Sequence, residues 1–106
     1  MGPKPPRDPP EPPPPERPEF SFHLGRLLIT PGALAALAQH EVIDALARHV
    51  GCDWGDVGAD DWAENDLSLR EGFRLLSAYH TAAGAKFWII TEADRSATTI
   101  LLPEEY

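Results

Sequence analysis

The sequence predicts a small two-layer α+β domain, with a mainly antiparallel sheet, behind a disordered proline-rich tail. Three observations lead there. Ten of the 12 prolines fall within the first 18 residues, and residues 1–19 carry no aliphatic side chain beyond Met1. That stretch cannot bury enough apolar surface to offset its ordering entropy. Between residues 34 and 50, apolar side chains recur every three or four positions, the spacing of one helical face. The last third breaks into short β-favouring runs separated by turn residues. The predicted order is strand, helix or helix pair, helix, then three strands, over a domain spanning 20–106.

Residues 20–30 are apolar and β-favouring, so they read as the first strand, with Gly25 marking a bulge or a close backbone approach. Thr30-Pro31 is a helix start: threonine as N-cap, proline at the first helical position where its missing N–H costs nothing. Leu34, Leu37, Ala38, Val42, Leu46 and Val50 share a stripe, on one helix or on two with a kink near Gln39-His40. Gly51 ends it. Residues 52–58 hold two glycines and two aspartates and read as a loop. Asp60 or Asp61 is the expected cap of the next helix, with Asp61 and Glu64 at capping-box spacing. Trp62, Asn65, Leu69 and Phe73 fall on its inward face, and Gly72 closes it.

A strand follows over 73–80, with Phe73, Leu75, Ser77 and Tyr79 on one side. Gly84 supplies positive φ in a hairpin loop at 81–85. Residues 86–91 form a strand apolar enough for burial on both faces, 92–96 a tight connection, and 97–102 the last strand. The first strand is expected at a sheet edge, with helices covering one face. The apolar last strand suggests a homodimer through its own edge.

Composition narrows the function classes. Residues 20–106 carry six basic against thirteen acidic side chains, a net of −7. This argues against nonspecific nucleic-acid binding, which is usually made by a basic face, and serves either solubility, the plainer reading, or a protein partner with a basic groove. Cys52 is the only cysteine, so no intramolecular disulfide and no multi-cysteine metal site forms. The start lacks an apolar signal core and no run reaches membrane-spanning length, so the expectation is a cytoplasmic protein without membrane contact. His40-Glu41 followed by Asp44 departs from the zinc-peptidase HExxH pattern at its fifth position. No P-loop, GxGxxG, GxSxG or CxxC motif occurs, and no cofactor is expected.

Two clusters are the candidate binding surface. Asp53, Trp54 and Asp56 flank a tryptophan with carboxylates, able to hold a cation or to shift each other's pKa. The plainer reading has both aspartates binding turn amides while Trp54 plugs the sheet edge. Glu92, Asp94, Arg95 and Ser96 form a polar hairpin tip whose arginine could grip a carboxylate or phosphate in bidentate fashion. The alternative there is a turn in which Asp94 caps Ser96 and Arg95 is solvated. Asn65 joins the candidates as a polar group on an inward helix face.

The stretches Asp53-Trp-Gly-Asp-Val57, Asn65, Arg74-Leu-Leu-Ser-Ala-Tyr79 and, above all, Trp88-Ile-Ile-Thr-Glu-Ala-Asp-Arg-Ser96 with Thr98-Thr-Ile-Leu-Leu-Pro-Glu-Glu-Tyr106 carry a resemblance. Over residues 24–106 the chain resembles a family of short bacterial proteins labelled plasmid-related and sometimes type I restriction subunit M. The resemblance implies a mobile-element accessory protein and carries no activity. With the charge, it suggests an anti-restriction-like mode in which the acidic domain occupies a basic nucleic-acid groove. The element order also resembles RelE-like toxins, ribonucleases that use basic and aromatic side chains on the sheet. Under that alternative Arg74, His80 and Arg95 would be catalytic, with Tyr79 and Lys86 as further candidates.

Overall fold

A computed structural model describes residues 22–106 of the chain. The expected tail at 1–19, and the first two positions of the expected first strand, lie outside them. The elements are β1 (Arg26–Ile29), α1 (Pro31–Ala36), α2 (Gln39–Val50), α3 (Ala59–Glu71), β2 (Leu75–His80), β3 (Lys86–Thr91), β4 (Ala97–Leu101) and a closing 3-10 turn (Pro103–Glu105). Together they make a compact α+β domain of three helices and one four-stranded sheet.

The sheet order is β1-β4-β3-β2. The pairs β2–β3 and β3–β4 are antiparallel, whereas β1 runs parallel to β4, with Leu28 opposite Thr99. Parallel neighbours need a crossover connection, and the whole α1-to-β3 segment is that connection. β1 is an edge strand, as expected. β4 is not: it pairs with β3 on one side and β1 on the other, so the route to a homodimer through the last strand is closed. Strand identity at the edge depends on where β1 returns, a contact across more than 70 residues.

Register fixes the two sheet faces. Leu75, Ser77 and Tyr79 share one face with Phe87, Ile89 and Thr91 and with Thr98 and Ile100. Ala33 and Leu37 of the α1 segment and Val42 and Ala45 of α2 pack against Tyr79, Phe87, Ile89 and Ile100 to form the core. The opposite face carries Leu76, Trp88, Ile90, Thr99 and Leu101. Ile90 and Leu101 are buried there, while Leu76 and Trp88 stay half-buried. β3 is thus buried on both sides over its second half; over its first, Phe87 packs under α1 and α2 while Trp88 on the other face stays half-buried.

Local signals explain most element ends. The Thr30 hydroxyl accepts from the Ala33 N–H, and Pro31 opens α1. Leu37 and Ala38 adopt extended backbone and split the helical stripe in two, at the expected kink. Gly72 ends α3 in the left-handed conformation at φ 82° and turns Phe73 out to solvent, 55 % exposed, instead of onto the inward face. The cap of α3 is also different from expectation: Gly58 holds the N-cap position with no side-chain bond, and Asp60 and Asp61 sit in the first turn, where they complement the helix dipole. β1 starts only at Arg26, since Gly25 leaves the strand at φ 67°.

Candidate functional site

The loop after α2 folds onto the outer edge of β2. Ala78 donates its N–H to the Trp54 carbonyl, and Asp56 returns a bond to the Ala78 carbonyl, so Gly55 makes a one-residue parallel bridge. Two positions along, the Asn65 amide takes the place of a strand: its nitrogen donates to the Leu76 carbonyl at 2.7 Å and its oxygen accepts from the Leu76 N–H at 3.0 Å. This edge of the sheet is therefore sealed by one loop and one side chain.

The candidate residues of 53–56 are tied into that seal. Trp54 is fully buried, edge-on to His49 and stacked near Phe22, with its indole N–H donating to Asp66 at 3.0 Å. It cannot touch a partner. Asp53 accepts a two-pronged bond from Arg48 and a further one from the Gly55 N–H, and the Arg48 guanidinium first of all holds its carboxyl below the usual range. Asp56 pairs with His80 at 2.6 Å. Thus the plainer reading fits Asp53 and Trp54, while Asp56 faces solvent with a histidine beside it.

The hairpin tip is likewise internally engaged. Asp94 accepts from the Ser96 N–H, and bonds from the Ser96 side chain and then its backbone hold Asp94 below the usual carboxylate range. Arg95 is half-buried, with its guanidinium bonded to the protein. It adopts φ 61° and donates to the carbonyls of Phe73, Glu92, Ala93 and Ser68, locking the β3–β4 connection onto the C-terminus of α3. A cation on the last carbonyls of a helix is favourable, and each bond is charge-assisted. Glu92 is exposed. The 53–56 cluster closes the β2 edge and the 92–96 cluster the β3–β4 connection; Trp54 and Arg95 both pack against Phe22 and bond α3 at Asp66 and Ser68, so the two clusters meet inside the fold through groups that hold it together.

The residues of the ribonuclease alternative stand apart. Arg74 donates to the Tyr106 hydroxyl and lies over its ring. His80 is six residues along the same strand direction, on the order of 20 Å away at the usual rise. Arg95 is held by its four carbonyls. Tyr79 is buried, donates to the Asp53 carbonyl, and is shifted up by desolvation; Lys86 is exposed opposite His80.

Two features were missed by sequence reasoning. The first is a buried polar chain through the core. His49 bonds Ser77 through Nδ1 at 2.6 Å and Thr91 through Nε2 at 2.9 Å; Thr91 meets Thr98 at 2.7 Å, and Thr98 donates to the Leu24 carbonyl. Each hydroxyl has one proton, so the direction is forced. Thr98 gives its proton to Leu24, Thr91 gives to Thr98, and His49 therefore carries its proton on Nε2 and accepts from Ser77 at Nδ1. Burial, with help from the Arg95 charge, pushes His49 down to about 3. The ring is neutral and fully inside, a structural group.

The second is a hollow of about 360 Å³ between α3 and the sheet face that carries Leu76 and Trp88. Leu76 and Trp88 of the sheet line it together with Asp61, Glu64 and Asn65 of α3 and with Arg74. Tyr106 packs edge-on against Trp88 and draws Arg74 aside. Only the helical spacing of Asp61, Glu64 and Asn65 could have signalled this. Among the described residues no cluster of metal-ligating side chains occurs, and no helix is long and apolar enough to cross a membrane. No family model, curated protein or solved structure matches the chain.

Proposed function

We propose that this protein is a non-enzymatic accessory protein of a mobile element that acts by binding another protein through its acidic surface. The observation that carries the reading is the hollow beside α3, where a half-buried tryptophan and leucine lie next to Asp61 and Glu64. A lysine or arginine of the partner fits that chemistry: its apolar stem lies on Trp88 and Leu76, and its charged head reaches the two carboxylates. The net charge of −7 on 20–106 steers such a partner and disfavours a phosphate backbone. A basic nucleic-acid groove presents the required side chains, which makes the mode anti-restriction-like.

The contributions first expected from Trp54 and Arg95 move to Asp61, Glu64 and Trp88, because the former pair hold the fold. Affinity capture from a bacterial lysate with the full chain tests this. The expected result is a defined basic partner that is released by salt, displaced by duplex DNA, and lost with Asp61→Lys/Glu64→Lys. Equal recovery by the folded charge-reversed variant, or arrest of growth on expression of the wild type, would overturn the reading.

A further inference from the structure

The two edges of the sheet are treated differently. The β2 edge is closed by residues 54–56 and by Asn65, whereas no described element pairs with the outer edge of β1. β1 is apolar and open, with Leu27, Leu28 and Ile29 at 53, 41 and 37 % exposure. Arg26 and Thr30 direct their N–H groups inward, to the carbonyls of Ser96 and Ile100. By strand alternation, Leu27 and Ile29 present N–H and C=O outward, four backbone groups without a ladder.

We propose that β1 is the seam of a two-fold homodimer, pairing antiparallel with β1 of a second copy into a continuous eight-stranded sheet. The open edge is self-complementary in one register. With Leu27 opposite Ile29 of the other copy, both bonded pairs form and all four outward groups on each strand are satisfied. Sliding one way brings in Pro31, which has no N–H; sliding the other way brings in Gly25, which has left the strand. Leu28 then lies on the two-fold axis against its own copy. Ile29 of the second copy falls beside Leu27, next to an open apolar hollow lined by Phe22, Leu24 and Val50.

Charge agrees with this occupant. Arg26 is the only charged residue of β1 and makes no ion pair with a described residue. In the same register it lies opposite Thr30 of the second copy, whose hydroxyl donates to the Glu105 carboxylate. The pairing therefore brings Arg26 to a fixed carboxylate twice, once on each side of the axis, in a domain that otherwise repels itself. The chain's own tail is a poor occupant: ten prolines in its first 18 residues lack the N–H groups a ladder needs.

Sedimentation equilibrium of the full chain tests the proposal, with three variants. The wild type should move from monomer to dimer mass as concentration rises through the micromolar range. Leu27→Pro removes only an outward N–H, so it should weaken dimerisation at least tenfold while leaving circular dichroism unchanged. In a Cys52→Ser background, Leu28→Cys should oxidise to a disulfide-linked dimer, since facing residues of a non-bonded antiparallel pair lie ~4.5 Å apart at Cα. Leu27→Cys should not, because its own copy lies beyond the ~7 Å reach of a disulfide. A monomer up to millimolar concentration, a dimer kept by folded Leu27→Pro, or equal cross-linking at 27 and 28 would overturn it. Should Leu27→Pro fail to fold, the cysteine pair decides. A monomer that instead takes up a foreign strand at this edge also counts against the second copy.

Discussion

Acidification should unfold this protein through His49 before its carboxylates titrate. The ring is fully buried, neutral, and committed at both nitrogens, with folded-state pKa near 3 against about 6.5 for an unperturbed histidine. The unfolded chain therefore binds a proton that the folded one refuses. The stability this represents is present above pH 6.5 and is lost progressively as pH falls toward 3. Linkage at about 1.36 kcal/mol per pH unit makes the loss about 2 kcal/mol between pH 7 and pH 5, rising to about 5 kcal/mol below pH 3. For a domain of this size about 2 kcal/mol lowers Tm by roughly 8–16 °C. Urea unfolding at pH 7, 6 and 5, run beside His49→Gln, isolates the contribution. The variant should be less stable at pH 7 but should lose less than wild type on going to pH 5. Nitrogen chemical shifts should report an Nε2–H tautomer unchanged across that range. Parallel loss of stability in both proteins, or a His49 titration near pH 6.5, would refute the reasoning.

Three substitutions test the devices that hold the sheet edges and the hairpin. Asn65→Ala leaves the N–H and C=O of Leu76 without partners at a covered edge, so urea unfolding should show a loss of about 1–3 kcal/mol, with faster amide exchange at Leu76. Gly55→Ala should cost about 1–3 kcal/mol, since the residue has φ 78° and an added Cβ would lie 2.0 Å from the Ala78 carbonyl oxygen; Gly58→Ala, with open space around it, is the control in the same thermal melts. Arg95→Ala removes four bonds to carbonyls and should lower stability by about 2 kcal/mol without abolishing partner capture by the acidic hollow, whereas Arg95→Lys should recover only part of it.

What the sequence determined by itself is what neighbours along the chain decide. Thr30-Pro31 starts a helix because a hydroxyl can reach an N–H three residues on and a proline needs no partner there. The stripe read over 34–50 is broken at Leu37 and Ala38, which leaves Leu34 67 % exposed and buries Ala33 instead, but Gly72 and Gly84 stop or turn the chain because glycine adopts positive φ without strain. These effects act within one turn, so they survive in any tertiary context. Where a local signal had an equal competitor it misled: Asp60 and Asp61 look like caps, yet Gly58 already holds that position and the aspartates serve the dipole one turn in.

The tertiary structure decided everything that needs two distant segments in register. Asn65 could be read as polar and inward, but that its amide substitutes for a strand depends on Leu76 arriving beside it. His49, Ser77, Thr91 and Thr98 carry no motif, and only the α2-to-sheet packing joins them into one proton chain. Trp54 and Arg95 have the composition of a recognition surface and became a core side chain and a carbonyl clamp, because the loop meets Ala78 and the hairpin meets α3. The return of β1 beside β4 buried the strand whose edge looked exposed and left β1 open in its place. Sequence patterns state what a residue can satisfy. Which group arrives to be satisfied is a property of long-range register, and that register is set by the sum of many weak contacts across the sheet.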